Sequence, residues 1–224
     1  MKVAIAVLVK TPGLSPVKTR LAATLGHQQA EAFFHLAKAA NEAILTRAVA
    51  LCAEQGIELA VYWAVGETAG LQHPLWQSET IQRMHTGHGG LGKRMHYVYS
   101  TLLENHQAVI LMGMDSPQNS AEHLLQVAQL LRQSASLLIG PARDGGFYLF
   151  AGNITVPLPR WTAVEYGCED TLENLRVQLA AYRIRYLEAM TDVDTESDLR
   201  RMVAEMTGAL LPEQRDLVDF IARL

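Results

Sequence analysis

Apolar residues fall along this chain in short unbroken runs that alternate with longer stretches where they recur every three or four positions. Val3–Val9 is a continuous apolar run rich in β-branched residues, the pattern of a parallel strand covered on both faces. Gln28–Glu54 repeats alanine, leucine and phenylalanine at helical spacing and predicts one long helix that Gly56 ends. Ile57–Val65 reads as a second strand and Thr80–Met84 as a weaker third. Leu91–Glu104 follows as a helix and Ala108–Met112 as another buried strand. Ser120–Gln133 is helical with Ser120 as its N-cap, and Ser136–Ile139 and Phe147–Phe150 read as neighbouring strands on either side of a Gly-Gly turn. Glu169–Ala181 is a helix and Arg183–Leu187 a short strand. Thr195–Met206 opens with Thr195 and Asp198 at capping-box spacing, and Pro212 starts a last helix. No repeat, low-complexity tract or charge block interrupts the alternation, so one α/β domain with a largely parallel sheet is expected over residues 1–224.

Composition narrows the setting. The chain is 224 residues long, with 49% hydrophobic and 19% charged residues, ample for a single core. Nineteen basic against 23 acidic residues leave a net charge of −4, without the basic field that nucleic acid or an anionic membrane requires. Cys52 and Cys168 cannot form a disulfide framework, which suits a reduced cytoplasm. The amino-terminal apolar run lacks a cleavage site, and no stretch reaches the ~20 apolar residues of a membrane span. A soluble, cytoplasmic protein is expected, its oligomeric state left open, a homo-oligomer included.

Ligands of open α/β sheets bind beyond the carboxyl ends of the strands, so the polar residues there carry the chemistry. After the first strand, Lys10-Thr11-Pro12-Gly13-Leu14-Ser15-Pro16-Val17-Lys18-Thr19-Arg20 puts three cations, hydroxyls and a glycine just ahead of a helix. That is the material of a phosphate cradle, the alternative being a solvated, proline-stiffened loop. After Ala108–Met112 comes Gly113-Met114-Asp115-Ser116-Pro117, where Asp115 either binds a hard divalent cation or caps the turn. Asp144-Gly145-Gly146 and Asp192-Val193-Asp194-Thr195 follow two further strands, and either could be structural. Three acidic strand ends facing one cationic strand end point to a shared metal–phosphate site.

Other motifs in the chain fail on inspection. Gly87-His88-Gly89-Gly90-Leu91-Gly92 fits the dinucleotide spacing but follows the weakest strand. Gly87 to Lys93 fits a P-loop except that Arg94 stands where Ser or Thr would hold magnesium, so a glycine loop closing over a ligand is the better expectation. His85 and His88 lack two further zinc ligands, Cys52 belongs to the core, and Cys168 has no histidine partner. Neither a nucleophile elbow nor a zinc-protease motif occurs.

Taken together, Lys10-Thr11-Pro12-Gly13, Val17-Lys18-Thr19-Arg20-Leu21, Leu91-Gly92-Lys93-Arg94-Met95, Gly113–Pro117, Pro141–Leu149, Trp161-Thr162 and Asp192–Leu199 resemble, in order, a bacterial glycosyltransferase family. That family belongs to the nucleotide-diphospho-sugar transferase superfamily and is of the arsenosugar-biosynthesis or selenodomain-associated type. The resemblance implies a GT-A-like three-layer α/β/α sandwich and a donor that is a nucleotide-sugar, with a small-molecule acceptor. Asp115, Asp192 and Asp194 would hold Mg²⁺ or Mn²⁺. Lys10, Pro12, Gly13, Lys18, Arg20, Gly92 and Arg94 would bind the nucleotide, with Lys18 and Arg20 neutralising the leaving group. Asp144 would be the base, and Gly145, Gly146, Phe147 and Trp161 would line the acceptor pocket. Related branches are guanylyltransferases, so nucleotidyl transfer from a nucleoside triphosphate is the second enzymatic expectation, and a non-catalytic nucleotide-binding regulator a third. The chain departs from the family at Gly90 and Lys93, where an acid is usual, which bears on the acceptor more than on the nucleotide.

Overall fold

β1 (Lys2–Val9) is the hub of the sheet, paired in parallel with β2 (Glu58–Val65) on one side and β4 (Ala108–Met112) on the other. The computed structural model describes residues 1–224 and completes a seven-stranded sheet in the order β3-β2-β1-β4-β6-β5-β7. β3 (Gln82–His85) runs parallel to β2, and β7 (Ile184–Tyr186) runs parallel to β5 (Leu137–Pro141). β6 (Phe147–Gly152) alone is antiparallel, to both β4 and β5. Val9 is level with Val65, and β4 stops two residues earlier, so the loops after β1, β2 and β4 leave from one rim.

Alternation along β1 divides the core. Val3, Ile5, Val7 and Val9 face α2 (His27–Glu54) and α4 (Ala121–Gln133). Ala4 and Ala6 face α3 (Leu91–Leu103) and α5 (Leu158–Thr162). The small alanines leave room for an aromatic cluster, in which Trp161 lies 4.6 Å from Phe150 and 5.6 Å from Tyr99 between ring centroids. Layers of helix on both faces make the α/β/α sandwich that the family resemblance implied, completed by α6 (Thr171–Gln178). Cys52 is wholly buried in this core.

The helix ends follow local chemistry. α2 stops in a reciprocal turn, Gly56 N–H to Ala53 O (3.0 Å) and Ile57 N–H to Cys52 O (2.9 Å), with Gly56 at φ +66°. Ser120 Oγ accepts the His123 N–H at 3.1 Å ahead of α4, and Thr195 N–H donates to Asp198 Oδ2 at 2.8 Å ahead of α7 (Glu196–Glu205). α6 is shorter than its pattern suggested because the Thr171 hydroxyl ties back to the Cys168 and Glu165 carbonyls. The third strand sits two residues later than expected, at Gln82–His85.

One element was not foreseen. α1 (Thr19–Leu25) begins inside the cationic loop and, with α7 and α8 (Pro212–Ile221), packs on the outer side of α2 through Leu21, Phe33, Leu199, Met202 and Leu217. It brings the carboxyl-terminal helices against the rim. No helix is long and apolar enough to cross a membrane.

Candidate active site

The rim carries a cleft with two lobes that meet at Leu8, Arg20, Leu91, Gly113 and Asp194. The smaller, of about 510 Å³, lies over the ends of β1 and β2 and is bordered by Lys10, Lys18, Arg20 and Arg94. The larger, of about 910 Å³, lies over β4, β5 and β6 and is bordered by Asp144, Glu169, Asp192 and Asp194. Both volumes fall in the range of small-molecule sites.

The loop after β1 is anchored before it reaches the cleft. Thr11 is fully buried; its N–H donates to Glu67 Oε2 (3.0 Å) and its hydroxyl accepts from Trp76 Nε1 (3.0 Å). Gly70 is required beside it, since a Cβ there would stand 2.4 Å from Thr11 Oγ1. The loop ends at Lys18, the one non-glycine residue with positive φ (48°), a conformation that L-residues hold only when their surroundings impose it. Its ammonium is imposed on: it pairs with Asp115 at 2.6 Å and donates to the Val193 carbonyl, and its side chain is 4% exposed.

Asp115 and the 192–194 segment are joined through the backbone as well, Val193 N–H donating to Asp115 O at 2.9 Å. Arg20 reaches across to Asp194 at 2.9 Å. Burial pushes the Asp192 carboxyl up to about 7, the charge of Asp115 adding to this and that of Lys18 opposing it. One cationic loop and two acidic loops thus meet at the divide between the lobes, and Asp144 faces them from the larger lobe.

A network that sequence reasoning missed holds the acidic segment in place. Glu205, from α7, accepts from Thr191 N–H (2.8 Å), the Thr191 hydroxyl (2.7 Å), Gln118 Nε2 (2.9 Å) and Arg143 Nε (2.7 Å). Burial raises its pKa, but these donors outweigh burial and hold the carboxyl below its ordinary value. Ser116 Oγ lies 3.2 Å from Thr191 O and 3.3 Å from Asp192 Oδ1, linking the same two loops. Behind them, Asn41 of α2 donates to the Met114 carbonyl at 3.0 Å.

In the larger lobe the 142–146 turn is clasped to the 166–169 segment. Leu172 N–H donates to Gly145 O (2.9 Å), and a Cβ on Gly145, at φ +90°, would meet Glu169 O at 1.9 Å, so only glycine fits. Asp144 Oδ1 accepts the Gly146 N–H at 3.0 Å. Phe147, Tyr166, Met95 and Leu91 supply the apolar wall, and Cys168 stands at its edge.

The structure places several of the expected residues elsewhere. Trp161 is not a pocket wall: it is 1% exposed, its indole N–H donates to Val156 O (3.1 Å), and its ring fills the space above Ala4 and Ala6. Gly92 is buried at the crossing of α3 and α5, where a Cβ would lie 2.4 Å from Trp161 O; it serves packing and not a nucleotide. Pro12 and Gly13 lie outside both lobes, in a turn closed by Leu14 and Ser15 N–H groups on Thr11 O (3.0 Å each). Arg94 borders the smaller lobe, but its guanidinium bonds Gly89 O (2.9 Å), Gly66 O and Thr86 Oγ1 (2.7 Å each). It thereby pins the 87–90 glycine loop to the ends of β2 and β3. Lys10, Lys18, Arg20, Asp115, Asp144, Gly145, Gly146, Phe147, Asp192 and Asp194 all border the cleft.

The donor set at the divide suits a hard divalent cation. Asp115, Asp192 and Asp194 offer only oxygens, the donors a hard divalent cation prefers. No three acidic, histidine or cysteine side chains converge closely enough to grip an ion as they stand, because Asp115 is turned onto Lys18.

Solved structures share this fold. A presumptive nucleotide-diphospho-sugar transferase of Desulfovibrio desulfuricans G20 superposes with a TM-score of 0.71 at 22% identity, covering 99% of this chain and 97% of its own. The 4-diphosphocytidyl-2C-methyl-D-erythritol synthase of Anaerococcus prevotii DSM 20548 gives 0.55 at 10% identity, with 91% and 96% covered. A CMP:2-keto-3-deoxy-manno-octonic acid synthetase, solved with CTP, gives 0.52 at 16% identity, with 92% and 98% covered. At these identities the likeness is one of fold, the GT-A-like architecture. No curated protein matches the chain. A family model does match, over residues 45–167 and hence more than half of the chain, and by it this chain belongs to the bacterial family described as "uncharacterized protein conserved in bacteria (DUF2064)".

Proposed function

We propose that the chain is a divalent-metal-dependent transferase with a nucleotide-activated donor, and specifically a glycosyltransferase acting on a nucleotide-sugar. The observation that carries this reading is the cleft itself, a cation-lined lobe joined to a carboxylate-lined lobe with Asp115, Asp192 and Asp194 at the border. The smaller lobe takes the nucleotide. Lys10 and Arg94 meet no carboxylate there, so their charge is free for phosphates. Arg20, 69% exposed along its side chain, reaches the leaving diphosphate at the divide.

Asp115, Asp192 and Asp194 would hold Mg²⁺ or Mn²⁺, which when bound supplies Lewis-acid stabilisation of the phosphate charge. Lys18 keeps Asp115 and the Val193 carbonyl in register, and Glu205 keeps Thr191 and Arg143 there. In the larger lobe Asp144, held by the Gly146 N–H, takes the proton of an acceptor hydroxyl as that oxygen attacks the anomeric carbon and the bond from that carbon to the β-phosphate oxygen breaks, releasing nucleoside diphosphate. The apolar wall of Phe147, Tyr166 and Met95 lies against the face of a sugar ring.

Nucleotidyl transfer is the second reading, favoured by one observation: two of the proteins sharing the fold are named as cytidylyl or CMP transferring enzymes, one solved with CTP. The same cations and carboxylates would then serve attack on an α-phosphate with loss of pyrophosphate. Chromatography of nucleotide products from a panel of nucleotide-sugars and triphosphates, with Mg²⁺ or Mn²⁺, separates the two. Slow metal-dependent release of nucleoside diphosphate from a nucleotide-sugar is expected. Pyrophosphate from a triphosphate, with every nucleotide-sugar intact, overturns glycosyl transfer.

A further inference from the structure

The two lobes differ in charge, and the difference reaches further than the reaction type. Neither arginine of the larger lobe is left over for an acceptor: Arg20 pairs with Asp194 at 2.9 Å and in the proposed reaction turns to the leaving diphosphate, and Arg143 pairs with Glu205 at 2.7 Å. Glu205 lies outside the lobe, and its ion pair with Arg143 Nε offsets the one further cation that borders it. Asp144 spends one oxygen on the Gly146 N–H and pairs with no cation, and the Glu169 carboxylate has no hydrogen-bond or ion-pair partner. Lysine is absent from this lobe. Its remaining walls are Leu91, Met95, Phe147 and Tyr166, which offer apolar and aromatic surface. A metal at the divide would not reverse this balance, because the donor's phosphates consume its charge.

We infer that the larger lobe admits a hydroxylated acceptor carrying no negative charge and excludes phosphorylated or carboxylated ones. The inference deepens the transferase reading and rests on it for the word acceptor. An anion at ~6 Å from one carboxylate, at an effective dielectric between ~40 and ~80, loses about 3- to 10-fold in affinity; Asp144 and Glu169 together give about 10- to 100-fold. Small polyols and amino-polyols meet no such penalty. Their hydroxyls find acceptors in the two carboxylates, and their ring faces find Phe147 and Tyr166.

Cys168 allows the lobe to be read without knowing the acceptor. It borders the lobe, and the second cysteine, Cys52, is fully buried, so one thiol reports. The rates of modification by a trimethylammonium-ethyl and a sulfonato-ethyl methanethiosulfonate are measured and each is divided by its rate with free cysteine. The cationic reagent is expected to gain at least 10-fold over the anionic one, and Glu169→Lys to remove most of that gain. A normalised ratio near or below one overturns the inference. In a second arm, a labelled nucleotide-sugar is offered glucose, glucosamine or glucose 6-phosphate. Transfer to the phosphorylated sugar at a rate equal to or above the others also overturns it, whereas transfer confined to the uncharged and amino sugars supports it. Should no transfer occur, the thiol ratio decides. Calorimetry of nucleoside diphosphates with Mn²⁺ runs alongside: absent nucleotide binding refutes the transferase reading, while the thiol ratio still reports the lobe's charge.

Discussion

Replacing Lys18 by Met keeps the stem and the Cβ, so the backbone cost of φ 48° is the same before and after, and only the charge is lost. Three neighbours lose it, Asp115 at 2.6 Å, the Val193 carbonyl and the Phe33 ring, whose centroid lies 5.5 Å from the ammonium. At 2.6 Å two unit charges attract by about 1.6 kcal/mol in water and about 3 kcal/mol at an effective dielectric of ~40. Asp115 is 38% exposed along its side chain, so solvent screening holds the pair within that range and not above it. The coupling energy expected from a cycle of wild type, Lys18→Met, Asp115→Asn and the double variant is therefore about 1.5–3 kcal/mol. Either single variant should lose about 3–12 °C of Tm at the ~2–4 °C per kcal/mol of a chain this long. The double variant should recover most of the loss, because it buries neither an unpaired ammonium nor an unpaired carboxylate. The Val193 hydrogen bond is lost in both lysine variants and cancels from the cycle. Urea denaturation of the four proteins in metal-free buffer measures the coupling. A value below about 0.5 kcal/mol would refute the claim that this pair, and not packing alone, holds the cationic loop against the acidic one.

Other outcomes are expected from the same geometry. Glu205→Ala strands Thr191, Gln118 and Arg143 donors and should cost about 2–4 kcal/mol of stability, whereas Glu205→Gln, which keeps an acceptor, should cost less than half of that in the same urea titration. Trp161→Ala should cost about 3–5 kcal/mol in stability through the cavity it opens, and Trp161→Phe far less, with nucleotide affinity by calorimetry unchanged in the latter; a selective loss of sugar or acceptor binding in Trp161→Phe would return the indole to the pocket. Lys10→Ala should weaken nucleoside diphosphate by about 1.5–3 kcal/mol and leave the bare nucleoside unaffected, as read by competition binding. Burial lowers the His123 pKa, opposed by the charge of Glu188, so the unfolded chain takes up its proton first and stability falls as pH drops below about 6.5; His123→Gln should flatten the stability profile between pH 5 and 7. Glu205 is depressed, so its share is present above about pH 4.5 and lost as pH falls through its folded value.

Position relative to strand ends made half of the site legible. Asp115 and Asp144 each follow a strand that announces itself by an apolar run, and Asp192 and Asp194 follow a short strand of mixed polarity, Ile184–Tyr186. The residues that hold them could not be read this way. Glu205 meets Thr191 across 14 positions and Arg143 across 62, and Trp76 meets Thr11 across 65, distances at which periodicity carries no information. Trp161 was misplaced for a related reason. Its helix has five residues, too few to show a buried face, and beside a short polar block an aromatic reads as exposed. Gly92 shows the converse error, a glycine chosen for close packing of α3 on α5 inside a stretch whose other glycines, Gly87 and Gly89, do serve a loop at φ +75° and +106°.

The reversed strand explains why one rim can hold two lobes of opposite charge. In a wholly parallel sheet each strand offers the rim one exit, and its return path runs behind a helix to the far edge. Here β6 runs back between β4 and β5, so the β5–β6 connection is a tight turn, Ala142 N–H to Gly146 O at 3.0 Å, that never leaves the rim. The turn lifts Asp144 over the larger lobe while Phe147, the first residue of β6, lines its wall. β1, β2 and β3 keep the parallel arrangement, and the loop after β1 carries every lysine of the smaller lobe. The lysines of the smaller lobe thus leave the parallel half of the sheet, and Asp144 leaves the half where it folds back. Moving the Asp144 turn off the rim would need no change at the metal-type ligands or the lysines, only a residue larger than glycine at 145, where Glu169 O leaves no space. Gly145→Ala should therefore weaken binding in the larger lobe, read through Cys168 modification, while nucleoside diphosphate affinity stays at the wild-type value; equal loss in both lobes would mean that the turn supports the whole rim and not the larger lobe alone.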